Sequence, residues 1–268
     1  MQTILNKITV PTLLPRVSRG RLLDLLHSSL TSCTATLLNG RTGTGKTMLA
    51  TDFAGHCQRR VSWFKVDASD NTPRIFLTSL VESIRRARAC FGDGNLLSLI
   101  ETKRFDDMTM VAEAFVYELV EGKKGAGHEE ALLMVIDDLH LVYDAEWVAP
   151  FFARLLPLLP ADAHALIASR SLPPAPLWRM RSKQTLRVID ECALAFTPAE
   201  AKGLFESYDL SEAHATVALE HTRGRAATLD KCAEMLANAG RAVAETFVAT
   251  DRRTQLSAEE DVGVGCRV

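Results

Sequence analysis

Eight consecutive residues, Gly40-Arg41-Thr42-Gly43-Thr44-Gly45-Lys46-Thr47, follow the spacing G-x-x-x-x-G-K-[ST]. Each residue type has a task in holding a run of phosphates. Glycines let the backbone bend tightly around an anion, so that successive N–H groups point inward at its oxygens. A helix opening where the loop ends adds the positive end of its dipole. Lys46 brings a point charge to the β- and γ-phosphates, and the Thr47 hydroxyl is a ligand for Mg²⁺. With Met48, which follows directly, these residues form the expected nucleotide-binding segment.

Two acids complete the expected chemistry. Leu132-Leu133-Met134-Val135-Ile136 is an apolar run that ends in Asp137-Asp138. A carboxylate at the end of a strand reaches the water shell of the ion held by Thr47, which makes Asp137 the second metal residue. The adjacent Asp138 is the candidate to orient or deprotonate an attacking water. Ser169-Arg170 closes another apolar run, and ligands of parallel nucleotide-binding sheets collect at such strand ends, so Arg170 is the candidate sensor of the γ-phosphate. His140, just past the acids, reads as a structural histidine.

These residues need a parallel sheet to bring them together. Thr34 to Asn39, Val61 to Val66, Leu132 to Ile136, Ala165 to Ala168 and Leu186 to Ile189 read as buried strands alternating with helices, the pattern of an α/β fold covered on both faces. Pro11 and Pro15 break any helix in the leading arm, and Arg21 to Leu30 reads as amphipathic. Asp70-Asn71-Thr72-Pro73 predicts a helix with a side-chain cap and proline in its first turn, running on from Ile75 to Ala89. After residue 195 the strands stop. Thr197-Pro198-Ala199-Glu200 is a capping box that opens a small all-helical lid over 196–250, and 251–268 has no period and is expected to be disordered. The expected organisation is thus a nucleotide-binding domain over 1–195, the lid, and a tail.

Composition narrows the partners. Thirty-one basic residues against 33 acidic give a net charge of −2, which offers no electrostatic case for direct DNA binding. The clusters Arg16, Arg19, Arg21 and Arg85, Arg86, Arg88 and Arg179, Arg181, Lys183 read as solvated faces or phosphate contacts. Cys33, Cys57, Cys90, Cys192, Cys232 and Cys266 show no zinc or disulfide spacing. Met1 to Lys7 lacks a basic segment followed by an apolar run, and no apolar stretch approaches membrane-spanning length. A cytoplasmic protein is expected.

On these residues the chain resembles the nucleotide-binding module of MalT-like, large LuxR-type regulators, a branch of the STAND class of P-loop ATPases. The likeness runs from about Lys7 to about Ala237. Val17-Ser18-Arg19-Gly20-Arg21-Leu22 resembles the family's adenine-side segment, which assigns Val17 and Arg19 to the nucleotide. Trp63, Asp67, Asp70, Asn71 and Phe76 fit its W-x-x-x-D-x-x-D-N-x-x-x-x-F stretch. Val135-Ile136-Asp137-Asp138-Leu139-His140, Ser169-Arg170-Ser171-Leu172-Pro173 and Leu194-Ala195-Phe196-Thr197-Pro198-Ala199-Glu200-Ala201 match three further motifs. Departures are Gly224-Arg225 where the family has Gly-Trp, and Ile75 where an arginine is common, with Arg74 one place earlier.

The resemblance implies a P-loop NTPase core of the ASCE, AAA-like kind with ATP or ADP and Mg²⁺ as ligands. It implies a slow ATPase switch that self-associates or acts on a separate regulatory protein. Family members continue into a helical-repeat sensor and a helix-turn-helix, and this chain is expected to act without either. Two other readings stand beside the switch: a non-catalytic, nucleotide-dependent interaction module working with a partner protein, and a small-molecule kinase. The kinase ranks last because the stretch after 195 has few of the arginines its lid would need.

Overall fold

The computed structural model describes residues 2–89, 91–92, 94–101, 107–121 and 131–240. The expected tail, the end of the lid beyond 240, Cys90 and Cys266 lie outside the described residues. By internal contacts the chain divides into two compact units, Met1–Ala195 and Phe196–Val268.

In the first unit, helices α1 (Gln2–Lys7) and α2 (Gly20–Ser32) precede strand β1 (Ala35–Asn39) and helix α3 (Lys46–His56). Then come β2 (Arg60–Lys65), α4 (Pro73–Arg85), α5 (Asn95–Glu101), α6 (Met108–Glu121) and β3 (Leu132–Asp137). The unit closes with α7 (Val148–Leu158), β4 (Ala163–Ser169), α8 (Ala175–Trp178), β5 (Leu186–Ile189) and α9 (Glu191–Leu194). The five strands form one sheet in the order β2-β3-β4-β1-β5, every pair parallel. This is the P-loop α/β fold that the strand pattern predicts.

Side-chain alternation along the strands builds two cores. Leu133 and Val135 of β3, with Leu38, Trp63, Leu166 and Ala168, pack against α2 and α3 through Leu22, Leu26, Leu49 and Phe53. Leu132, Met134 and Ile136 face the other way, with Leu37, Phe64 and Ile167, onto Phe76, Phe115, Phe151 and Phe152 of α4, α6 and α7. Phe76, Phe115, Phe151 and Phe152 are fully buried. Cutting one such ring back to alanine costs about 3–5 kcal/mol, a large part of a typical domain's total stability.

One polar pair crosses the sheet interior. His164 of β4 is 2% exposed; its Nδ1 lies 3.2 Å from the Cys33 carbonyl, and its Nε2 lies 2.9 Å from Thr36 Oγ1. A carbonyl only accepts, so Nδ1 carries the proton and Nε2 accepts from the Thr36 hydroxyl. Burial pushes the His164 pKa down to about 4, so the ring is neutral here.

The predicted helix start at Asp70 needs correction. Thr72 occupies the N-cap of α4 without a side-chain bond and Pro73 is the first helical residue. The Asp70 carboxylate instead accepts from Asp67 N–H at 2.8 Å and caps the 3-10 turn Ala68–Asp70, while Lys7 Nζ reaches it at 3.1 Å. α4 stops at Arg85, where the chain tightens so that Ala87 and Arg88 N–H both meet the Ile84 carbonyl. Of the cluster Arg85, Arg86 and Arg88, Arg86 is exposed as expected of a solvated face, but the other two are engaged. Arg88 is 6% exposed and pairs with Asp162 at 2.9 Å, and Arg85 Nε donates to the Phe91 carbonyl at 2.8 Å.

The second unit contains α10 (Pro198–Glu206), α11 (Glu212–Thr222) and a helix α12 over 226–240. Its opening is the expected capping box, Thr197 Oγ1 accepting from Glu200 N–H at 3.3 Å and Glu200 accepting from Thr197 N–H at 2.9 Å. Leu204, Phe205, Ala215, Leu229 and Ala233 are buried within it. Among the described residues, no helix is long and apolar enough to cross a membrane.

Candidate functional site

The loop Gly40–Gly45 leaves the carboxyl end of β1 and runs into α3. Gly43 and Gly45 hold φ of 83° and 85°, the left-handed region where glycine carries no Cβ penalty. Gly40 is required for a different reason, because a Cβ there would stand 3.1 Å from Thr44 Oγ1 and 3.3 Å from Glu191 Cβ. Thr44 Oγ1 ties the bend by donating to the Arg41 carbonyl at 2.9 Å. Lys46 begins α3, only 6% exposed, and its ammonium folds over the loop onto the carbonyls of Gly40 (2.5 Å) and Arg41 (3.0 Å) and onto Thr44 Oγ1 (3.3 Å). Burial first, and then the Arg170 charge, lower its pKa. A cation so placed gains more from an anion than one in water.

Sheet register brings the remaining candidates to this edge. β1 pairs with β4 through Asn39 and Ser169, and β4 pairs with β3 through Ile167 and Ile136. β4, which delivers Arg170, therefore lies between the strand of the loop and the strand of the acids. Thr47 Oγ1 donates to both oxygens of Asp137, at 3.2 and 3.0 Å. Asp137 is 1% exposed, and burial, reinforced by Asp138, raises its pKa. A hydroxyl facing a buried carboxylate is an all-oxygen donor set, which fits a hard divalent ion such as Mg²⁺. A cation between them would also relieve the acid's desolvation.

Asp138 adopts the left-handed conformation, φ 60° and ψ 32°, which short polar side chains tolerate. Its Oδ1 accepts from Arg170 Nε at 3.2 Å, so the candidate base and the candidate sensor hold each other. His140 Nδ1 stands 3.8 Å from the same oxygen, beyond hydrogen-bond range, and burial lowers its pKa.

Arg19 is engaged within the protein itself. Its guanidinium is buried and donates to the carbonyls of Leu194 (2.7 Å) and Gly45 (3.2 Å), so it braces the loop from behind. Val17, two residues before it, is half-buried. Glu191 has no motif around it, yet its carboxylate accepts from Arg41 N–H at 3.0 Å and from Arg41 Nε and Nη2 at 2.9 and 2.7 Å. An acid 150 residues from the loop gives no signal of this in the sequence.

The chain is similar in sequence to parts of known proteins. The HTH-type transcriptional regulator MalT of Yersinia enterocolitica is 32% identical over 204 residues, a match covering 75% of this chain and 21% of that protein. This chain is similar to MalT. The MalT of Vibrio cholerae is 28% identical over 204 residues with the same coverage, and the serine/threonine-protein kinase PknK of Mycobacterium tuberculosis is 31% identical over 194 residues, covering 70% of this chain and 16% of the kinase. The match thus spans about a fifth of the length of the MalT proteins and less of the kinase. No protein-family model matches the chain. Among solved structures, the Walker-type ATPase of Pyrococcus abyssi aligns with a TM-score of 0.48 at 14% identity, covering 91% of this chain and 75% of that one. The replication initiator DnaA bound to AMPPCP and single-stranded DNA aligns at 0.47 with 14% identity, covering 99% and 74%.

Proposed function

We propose that this chain is a nucleotide-dependent switch of the STAND type, which binds ATP with Mg²⁺ and hydrolyses it slowly as part of cytoplasmic transcription regulation. One observation carries the reading: the phosphate loop, the Thr47–Asp137 pair and the Arg170–Asp138 pair stand together at the carboxyl ends of three adjacent strands. The MalT likeness supports the regulatory part.

The residues divide the work as follows. Loop amides from Gly40 to Met48 and the Lys46 ammonium bind the β- and γ-phosphates, Lys46 exchanging carbonyl partners for phosphate oxygens. Thr47 and Asp137 would hold Mg²⁺, which when bound neutralises charge on the phosphate oxygens. Asp138 orients a water and accepts its proton. Arg170 turns from Asp138 to a γ-phosphate oxygen, which frees the base only when ATP rather than ADP is present. A helical lid beginning at Phe196 changes state with the nucleotide, leading to self-association or to contact with a separate regulatory protein.

The Arg170–Asp138 contact also favours a second reading, in which Asp138 stays engaged and the chain binds nucleotide without useful turnover. Calorimetric titration with Mg-ATP, paired with phosphate release, separates them. Binding that is lost in Lys46→Ala with slow phosphate release supports the switch. Binding without release selects the interaction module. Equal affinity in the wild type and in Lys46→Ala would refute the phosphate-loop assignment.

A further inference from the structure

The last helix of the first unit, α9, has four residues and is tied to the phosphate loop at both ends, directly at its start and through Arg19 at its end. At its start, Glu191 grips Arg41 through one backbone and two side-chain donors. At its end, the Leu194 carbonyl and the Gly45 carbonyl share the buried guanidinium of Arg19. Between these points α9 lies against the first glycine of the loop, since a Cβ on Gly40 would meet Glu191 Cβ at 3.3 Å and Leu194 Cδ1 at 3.4 Å. Arg21 adds bonds to the carbonyls of Ala193 (2.9 Å) and Ala195 (3.2 Å). Three consecutive carbonyls, 193 to 195, are therefore held by two arginines of the leading arm, and the chain then continues as Phe196.

We propose that α9 is a strap that couples occupancy of the phosphate loop to the chain segment 193–196, with Glu191 and Arg19 as the positioning residues at its two ends. The inference rests on the nucleotide reading above and adds the route by which that site is sensed. Neither residue touches the phosphates; each acts through a loop residue, Arg41 or Gly45. Phosphate binding fixes the loop from inside, and the same bonds then hold α9 more firmly from outside. Linkage makes the effect reciprocal: whatever displaces the chain at Phe196 slackens the loop and lowers its affinity. A short helix suits such a role. With few hydrogen bonds of its own, among them Ala193 N–H to Asp190 Oδ1 and Leu194 N–H to the Asp190 carbonyl, it depends on its anchors to stay formed.

Hydrogen exchange of the Ala193, Leu194 and Ala195 amides in the full chain tests the proposal, with Mg-ADP or a non-hydrolysable Mg-ATP analogue as probe and calorimetry on the same samples. In the wild type, nucleotide should slow exchange at these amides by about fivefold or more. Glu191→Gln keeps an acceptor for the Arg41 amide but loses the ion pair; it should bind nucleotide within a few-fold of wild type while the exchange response falls below about twofold. Arg19→Lys, which cannot span both carbonyls, should weaken nucleotide binding by roughly tenfold and lose the response as well. Residues that merely stabilise the fold would lower the melting temperature of each variant and leave the nucleotide response intact, and that result overturns the strap. Heat of binding with no exchange response in the wild type overturns the strap alone. No heat with either nucleotide overturns the nucleotide reading, and the strap with it.

Discussion

Replacing Arg170 by alanine tests the reading of the site at its most discriminating point. In the structure Arg170 Nε meets Asp138 Oδ1 at 3.2 Å, with the arginine side chain 45% exposed and the aspartate 13% exposed. A pair so open to water is worth about 0.2–1 kcal/mol. ATP offers the guanidinium a hydrogen bond to a charged γ-phosphate oxygen, worth about 1.5–3 kcal/mol. The surplus over the surrendered pair, about 1–2 kcal/mol, is what Arg170→Ala should remove, a weakening of roughly 5- to 30-fold for ATP. ADP has no such oxygen and should lose less than about twofold. Loss of the arginine charge also relieves its repulsion of Lys46, but that effect reaches both nucleotides and leaves their ratio unchanged. Paired titrations with Mg-ADP and a non-hydrolysable Mg-ATP analogue measure the ratio directly. Equal losses for the two, with a lower melting temperature, would show a structural arginine and refute the sensor argument.

Asp138→Asn keeps an acceptor for Arg170 and should leave nucleotide affinity within a few-fold, while phosphate release slows by about 10²–10⁴ because an amide takes no proton; release at the wild-type rate would remove Asp138 from the base role. A third expectation concerns pH. His164 is neutral in the fold with its pKa lowered to about 4, so the unfolded chain binds the extra proton first. Stability should be level above about pH 6.5 and fall as pH drops toward 4, by up to ~3 kcal/mol from this residue. Urea unfolding of wild type and His164→Asn at pH 7 and pH 5 checks it, and parallel losses in both would assign the acid sensitivity elsewhere.

The sheet and the loop were legible because their signals are local. Continuous apolar runs such as Leu132–Ile136 can only be buried strands or buried helix, and the terminal Asp137-Asp138 with the upstream loop decides between them. Boundaries moved by a residue or two, as at β2 and β4, because the ladder rather than side-chain type ends a strand. The carbonyl bonds of Arg19, the Asp162 pair of Arg88 and the Arg41 contact of Glu191 were not foreseen, for one reason. Each finds its partner more than 20 residues away, on a carbonyl, a carboxylate or, for Glu191, the Arg41 amide and guanidinium, and residue type alone does not distinguish a buried arginine from a solvated one. Asp70 shows the same limit at short range, since its capping competence is plain but which turn it caps is set by Asp67 and Lys7.

Strand order also bears on how the protein comes to exist. β1, which launches the phosphate loop, has no neighbour close to it in sequence; it pairs only with β4 and β5, Ala35 lying beside Ala165 and Leu186. During synthesis the ribosome releases β1, α3, β2 and β3 before either partner, and of these only β2 and β3 pair with each other. The nucleotide loop is thus among the first segments made and among the last to be set. Until Ala163–Ser169 has emerged, the carbonyls and amides of Ala35–Asn39 have no ladder, and such an edge is open to pairing with other chains. Parallel pairings of this span are slow to form. A nascent chain halted before β4 should neither bind nucleotide nor be rescued by it, whereas one that includes β5 gains both. For this fold a ligand rewards completion of the sheet and offers nothing to its beginning.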